Sequence, residues 1–293
     1  MKVAVIGPVV KDIVHINNIT KTYIGGIPYY EAHVLKALGV DVTAFVTYAL
    51  SEQSMVDESF KDIKVNSVYV EKTIVHEIVY KDKDADLREV KVSEYDPNVF
   101  PVEDEIIKEL QSFDYILLGP LYFENISYDF FEIMKNSNLV LGNFGLFTYY
   151  ENGIPVKKNP ENLAKVAPFL KYLFLDEVEI KFCAQKETIE ECADYFINLG
   201  VNLVVVTQGS KGSVIFTKDK KYNIPAFVPK ELIDPTGAGD TYLAAFIYSE
   251  EIFNDMQKRG EFAAMCATMS IEKGGAFDGN TEGVLERLRR NNK

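Results

Sequence analysis

Asp234-Pro235-Thr236-Gly237-Ala238-Gly239-Asp240-Thr241-Tyr242-Leu243-Ala244-Ala245-Phe246 is the stretch from which the rest of the chain is read. Asp-Pro-Thr is turn chemistry: proline fixes φ, and the flanking Asp and Thr can accept from nearby backbone N–H groups. Gly-Ala-Gly removes side-chain bulk, so another group can approach the backbone closely. Asp240 then opens an apolar helix through Leu243, Ala244, Phe246 and Ile247. A small-residue loop feeding a helix N-terminus is a ready anion site, because free N–H groups and the positive dipole end point the same way. A carboxylate in that first turn is stabilised as an anion. The string thus offers a phosphate cradle beside a base. The plain alternative is an ordinary helix entry with Asp240 as N-cap, and for an isolated G-A-G-D it suffices.

Composition bounds what surrounds this stretch. The chain has 293 residues, 47% hydrophobic and 26% charged, which is globular and long enough for one large α/β domain with a small appendage. A net charge of −13 and a pI of about 4.8 argue against nucleic acid or an anionic membrane as the main partner. They leave room for a phosphorylated ligand held by Mg²⁺ and a local cradle. Cys183, Cys192 and Cys266 are widely spaced without C-x-x-C, and His15, His33 and His76 are scattered. All six are expected to be structural or solvent-facing. Residues 1–7 form too short an apolar run for a signal peptide, and no stretch approaches membrane-spanning length. The sequons at Asn18 and Asn125 are then chance, and the expected location is cytoplasmic.

Periodicity gives the architecture. Residues 3–6 form a continuous apolar run ending at Gly7-Pro8, as in a buried parallel strand. Residues 11–19 alternate and carry polar groups, as in a strand leaving the main core. Gly25-Gly26 and Pro28 introduce a helix that closes on Gly39, and 42–48 is the next strand. Strands are expected at 65–70, 73–80 and 87–92, with a charged connection over 81–86, as a small sheet standing off the main one. An α/β rhythm follows, with helices at 103–111, 128–135, 161–167, 187–199, 261–273 and 282–290 and strands at 115–119, 139–141, 172–175 and 202–207. A hairpin spans 213–216 and 221–224, and 142–159 reads as a long loop. Strands alternating with helices imply a doubly wound, mainly parallel sheet.

Four further pieces can carry chemistry. Asp12 is a carboxylate that could receive two vicinal hydroxyls, or a surface residue on a strand edge. Gly25-Gly26-Ile27-Pro28-Tyr29-Tyr30-Glu31-Ala32 is a second close-approach site, or a simple turn. Asp176-Glu177-Val178-Glu179 follows a strand, either as an acidic metal site or as an acidic helix start. Thr207-Gln208-Gly209-Ser210-Lys211-Gly212 is a glycine turn after a strand. Neither a Walker A motif nor a G-x-G-x-x-G fingerprint occurs.

In this order the pieces resemble the ribokinase-like sugar kinases, the PfkB family, and the stretch at 234–246 matches that family's second signature at every defined position. The resemblance implies a ribokinase-like three-layer α/β/α fold with a β lid from about 9–25 and 64–95 within a single kinase unit spanning 1–293. It implies ATP-dependent phosphoryl transfer to a hydroxyl of a small sugar or polyol. Asp240 would be the general base, with Gly237, Ala238 and Gly239 as the anion hole. Asp12, Gly25, Gly26 and Tyr30 would hold the acceptor. Tyr30 stands where the family has Asn, and the paired tyrosines resemble inositol kinases. Asp176, Thr207, Gly209, Gly212, Ala267 and Gly275 would line ATP, with Asp176 replacing the family's Asn. Glu179 would face Mg²⁺ through water, and Asp234 and Thr236 would be a monovalent-cation (K⁺) site. The family's phosphate-facing Arg is missing from residues 142–148, leaving Lys157, Lys158 or Arg88 to supply the charge. Monomer or homodimer through the lid is expected. A nucleoside kinase of the same fold is one alternative. A nucleotide- or sugar-binding protein with weakened catalysis is the other.

Overall fold

The computed structural model describes residues 1–16, 19–80, 88–142 and 145–291. Asn17 and Asn18, the charged connection and Leu87, and Asn143-Phe144 in the loop lacking the arginine lie outside the described residues, as does the side chain of Arg88. The chain begins β1 (Lys2–Pro8), β2 (Val10–Ile16), β3 (Ile19–Gly25), α1 (Ile27–Ala37), β4 (Asp41–Ala49), α2 (Gln53–Ser59), β5 (Lys64–Val70), β6 (Ile74–Tyr80) and β7 (Arg88–Glu94). It continues with α3 (Asp104–Leu110), β8 (Tyr115–Leu118), α4 (Tyr128–Ile133), β9 (Leu139–Gly142), β10 (Thr148–Glu151), β11 (Ile154–Lys157), α5 (Glu161–Val166) and β12 (Leu170–Asp176). It closes with α6 (Glu177–Ala184), α7 (Ile189–Asn198), β13 (Leu203–Thr207), β14 (Ser213–Thr217), β15 (Lys221–Ile224), α8 (Ala238–Tyr248), α9 (Met256–Ser270) and α10 (Thr281–Asn291).

Nine strands form one sheet in the order β15-β14-β13-β12-β9-β8-β1-β4-β5. All neighbours are parallel except β14 and β15, which return antiparallel. Both faces are covered, so the strands read as near-continuous apolar runs. Alternate residues still go to opposite layers. Val3 and Val5 pack with Leu35 of α1, Phe246 of α8 and Phe262 of α9. Ala4 and Ile6 pack with Phe130 of α4, Ile180 of α6 and Phe196 of α7. Helices on both sides of a mainly parallel sheet make the expected α/β three-layer fold.

A second sheet of four strands, β3-β2-β6-β7, stands apart. β2 pairs antiparallel with β3 and parallel with β6, and β7 returns antiparallel on β6. The expected appendage is therefore present, with one correction. Residues 64–70 belong to the main sheet, where β5 extends β4 in parallel. As an edge strand β5 is only half-buried, so its mixed polarity imitates a lid strand. A second correction lies in 142–159, where β10 and β11 form an antiparallel hairpin rather than a featureless loop. Its turn is Asn152-Gly153, both at positive φ (50° and 84°), which is the Asn-Gly hairpin signal.

Candidate active site

The stretch at 234–246 builds its turn as its residues dictate. Asp234 Oδ1 accepts the Thr236 N–H at 2.9 Å, and the Ile233 N–H reaches the carbonyl of Ile271 at the end of α9 at 2.9 Å. Gly237 is the N-cap of α8 at φ 74°, in the left-handed region that favours glycine. Asp240 is thus the third residue of the helix, not its cap, and sits half-buried in the first turn. The first intrahelical bond runs from Thr241 N–H to Gly237 carbonyl at 2.8 Å. Ala238 N–H turns back to the Pro235 carbonyl at 3.2 Å, which engages one of the three donors expected of the anion hole. Gly239 is exposed, and a methyl group on it would meet nothing within 4 Å. Open space therefore lies above the helix start.

Gly237 has a second reason to be glycine. A Cβ there would fall 2.3 Å from the ring of Tyr30. The close approach is thus made by the chain's own phenol, delivered from the first turn of α1. The Tyr30 hydroxyl is pushed far above its usual range, by burial first and then by the charges of Asp12, Asp234 and Asp240. Tyr30 consequently stays a neutral phenol at the meeting point of the three carboxylates. Asp12, half-buried on β2, sits over Gly25, where a Cβ would come 2.6 Å from Asp12 Oδ2. Gly26, at φ 97°, caps α1, and a Cβ on it would strike the Pro8 carbonyl at 2.6 Å. The expected acceptor residues Asp12, Gly25, Gly26 and Tyr30 and the expected base Asp240 are therefore gathered in one place.

The expected donor side lies beyond the ends of β12 and β13. Asp176 and Glu179 form a reciprocal capping box on α6: Asp176 Oδ1 accepts Glu179 N–H at 2.7 Å, and Glu179 Oε2 accepts Asp176 N–H at 3.2 Å. The helix start thus accounts for this spacing by itself. It does not account for burial. Glu179 is 6% exposed, and its carboxyl is pushed up to about 7 by burial and by the charge of Asp176. Lys157 of β11 lies 3.8 Å from Glu179 Oε1, whereas Lys158 is paired with Glu151. Of the two lysines, Lys157 is the one beside the acidic pair. After Thr207, Gly209 and Gly212 flank a single helical turn, both at positive φ. A Cβ on Gly212 would strike the Ile224 carbonyl at 2.1 Å, so its smallness serves packing against β15. Gly209 and Gly275 face open space, and Ala267 is half-buried on α9. Among the described residues no group of three or more His, Cys, Asp or Glu side chains is placed to hold a metal ion.

Several residues escaped the sequence reading. Glu31, next to Tyr30, is fully buried with neither oxygen hydrogen-bonded, and burial followed by the Asp240 charge raises its carboxyl well above the usual range. Its spacing with Ile27 and Leu35 puts it on the buried stripe of α1, a signal visible in sequence. Tyr242, on α8, is tied through its hydroxyl to Ser213 Oγ at 2.9 Å, which fixes the helix to β14. His76 and Tyr122 carry no motif at all.

A family model described as pfkB family carbohydrate kinase matches residues 1–282. The nucleoside kinase of Methanocaldococcus jannaschii is 36% identical over 130 residues, 44% of this chain and 42% of that protein. A 5-dehydro-2-deoxygluconokinase of Clostridium botulinum is 35% identical over 97 residues, 33% of this chain and 28% of that protein. The matches thus span less than half the length of these curated relatives. Among solved structures, a pyrophosphate-dependent kinase in the ribokinase family, complexed with a pyrophosphate analogue and myo-inositol, is similar with a TM-score of 0.81 at 19% identity, covering 97% of this chain and 99% of that one. The ribokinase of Arabidopsis thaliana, complexed with ribose and ATP, is similar with a TM-score of 0.79 at 20% identity, covering 98% of each chain. At these identities the likeness is one of fold. The family model, spanning nearly the whole chain and including the G-A-G-D turn, the Gly-Gly turn and both sheets, carries the assignment: this chain belongs to the pfkB family of carbohydrate kinases.

Proposed function

We propose that the chain transfers the γ-phosphoryl group of ATP to a hydroxyl of a small sugar or polyol, with Asp240 as general base. One observation carries this reading: the Tyr30 ring lies against Gly237 beside the open start of α8 at Gly239, while Asp12 lies over Gly25 at the entry to the helix that bears Tyr30. Asp12 receives two neighbouring hydroxyls of the acceptor, and the backbone at Gly25 and Gly26 allows it to lie close. Tyr30 covers the acceptor ring with its face and offers its O–H, which stays protonated. Asp240 takes the proton of the attacking hydroxyl. The helix-start N–H groups, Gly239 foremost, stabilise charge on the transferred oxygens. The four-stranded sheet closes over the acceptor and excludes water, which would otherwise take the phosphoryl group.

The donor would lie along the open glycines Gly209 and Gly275, with Thr207 and Gly212 holding the turn and Ala267 beside the base. The acidic pair fits Mg²⁺ only through water: Asp176 is exposed, and both Glu179 oxygens already face partners, Asp176 N–H and Lys157. Bound there with the donor, Mg²⁺ supplies charge neutralisation on the phosphates. Lys157 lies 3.8 Å from Glu179 Oε1, and we assign it the charge that the missing arginine would bring. Asp234 is occupied as the acceptor in its own turn, so K⁺ at Asp234 and Thr236 would rest on backbone oxygens as well.

A nucleoside acceptor is the second reading, favoured by the 36% identity to the Methanocaldococcus jannaschii nucleoside kinase over 130 residues. Phosphorylated product formed with ATP or pyrophosphate on myo-inositol, D-ribose, D-fructose and adenosine separates the cases. The reading expects ATP-dependent product on a free sugar or polyol. Product only on adenosine moves the assignment to nucleosides, and none on any acceptor with either donor refutes a kinase.

A further inference from the structure

His76 of β6, Asp12 of β2 and Tyr122 of the segment after β8 form a connected group across three elements, and only Asp12 has a role in the reaction as read above. Asp12 is the register partner of His76 on one side and of Tyr23 on the other, while His76 is opposite Val92. Directly opposed residues share a face of the sheet. Two residues earlier on that face, Val10 and Ile74 are register partners, and both pack with Ile27, Leu121, Tyr122 and Val92 in a buried cluster. The face bearing Asp12 and His76 is therefore turned toward the main body, at the start of α1. Both side chains are 17% exposed, at the rim of that cluster.

The polar contacts run in one direction. His76 Nδ1 lies 3.6 Å from Asp12 Oδ1, and its Nε2 lies 3.1 Å from the Tyr122 hydroxyl. A carboxylate only accepts, so the proton belongs on Nδ1. With the proton on Nδ1, Nε2 is free to accept from the Tyr122 hydroxyl. Tyr122 suits that duty: it is 2% exposed, and burial holds its phenol protonated far above the usual range. The ring is also fixed. Tyr95 packs edge-on against it with centroids 5.1 Å apart, stacks on Tyr150 at 4.2 Å and donates to Glu124. Asn125 Oδ1 accepts both the Leu121 and Tyr122 N–H groups at 2.8 Å. A gap of 3.6 Å exceeds a hydrogen bond, but catalytic contacts often tighten only in the substrate complex. The other carboxylate oxygen of Asp12 lies over Gly25.

We propose that His76 is the positioning residue of the acceptor site: anchored by Tyr122, it holds the Asp12 carboxylate in the rotamer that receives two adjacent hydroxyls of an uncharged polyol. This rests on the kinase reading of Asp12 and Asp240. The carboxylates of Asp12, Asp234 and Asp240 surround Tyr30, so acceptors that are themselves anionic are disfavoured. The donor side lies elsewhere and is untouched by the change.

Steady-state kinetics of the full chain test the assignment, using ATP and the best neutral acceptor of the four named above. His76→Phe keeps the ring and removes both nitrogens. It is expected to raise the acceptor KM roughly ten- to a hundredfold, the worth of a hydrogen bond to a charged group, with kcat and the ATP KM essentially unchanged. His76→Asn, whose amide N–H can stand in for Nδ1–H, recovers most of that loss. In an Asp12→Asn background His76→Phe adds little, because the two act as one unit. Should His76→Phe fail to fold, Tyr122→Phe removes a single oxygen and carries the same direction of change. A wild-type acceptor KM in His76→Phe, or a loss that His76→Asn does not relieve, overturns the proposal while leaving the kinase reading intact. A wild-type enzyme inactive on every acceptor overturns the kinase reading first.

Discussion

At the scale of single residues, Glu179 shows how one side chain can serve two masters. Its backbone and Oε2 complete the cap of α6, yet its carboxyl is nearly excluded from water and lies beside Asp176. The ordinary carboxylate value of 4.5 is raised to about 7 in the folded chain. A folded-state value above the unfolded one means stability that is complete below about 4.5 and is lost as pH rises through about 7. In metal-free urea titrations at pH 5 and pH 8, the wild type should therefore lose on the order of 2–3 kcal/mol more than Glu179→Gln. Parallel pH dependence of the two proteins would remove burial as the governing effect. Asp240, Gly25 and Gly26 were legible in the sequence because each stands in a spaced motif with a geometric reason, whereas Asp12 stood out only through the family resemblance. His76 and Tyr122 were not, because their significance comes from neighbours brought together from distant elements, whereas the burial of Glu31 follows from its spacing with Ile27 and Leu35.

At the scale of elements, α1 and α8 meet through Tyr30 and the left-handed turn at Gly237. Glycine is required there twice, by φ 74° and by the ring that would lie 2.3 Å from any Cβ. Gly237→Ala should cost about 2–4 kcal/mol, combining left-handed strain with displacement of a packed ring. Because Tyr30 belongs to the proposed acceptor site, the acceptor KM should rise more than the ATP KM. Thermal melting and kinetics on the same preparation check both effects, and equal losses for acceptor and ATP would contradict them. The far end of α8 is held independently. Glu250 accepts from Tyr115 at 2.5 Å, Tyr172 at 2.9 Å and Arg259 at 2.5 Å, and the Arg259 guanidinium lies 4.5 Å from the Phe246 ring centre. Most strands and helices followed from hydrophobic period. The β10–β11 hairpin did not, since its strands are short and half-exposed, although Asn152-Gly153 announced the turn. The edge strand β5 was assigned to the wrong sheet, because half-burial gives the same mixed pattern in a lid strand and in an edge strand.

At the scale of the whole molecule, the nine-stranded sheet carries the proposed donor side at the ends of β12 and β13, while the four-stranded sheet bears Asp12 on β2. The two meet around Tyr30 and the small cluster containing Val10, Ile74 and Tyr122. If acceptor binding draws the sheets together, amide hydrogen exchange should slow in β2 and β6 when the acceptor is added, with β13 and β14 unaffected. Protection confined to β13 and β14 would place the acceptor at the wrong end. The net charge of −13 accords with the proposed acceptor side, whose carboxylates would favour an uncharged polar ligand. The proposed transfer to a hydroxyl requires Asp240 as its base. The decisive measurement is acceptor-dependent ADP release by the wild type and by Asp240→Asn, with ATP binding measured alongside. The account predicts release only when a polyol is present, a loss of about 10²–10⁴-fold in kcat for Asp240→Asn, and ATP affinity close to the wild type. Near-normal turnover in Asp240→Asn would contradict it.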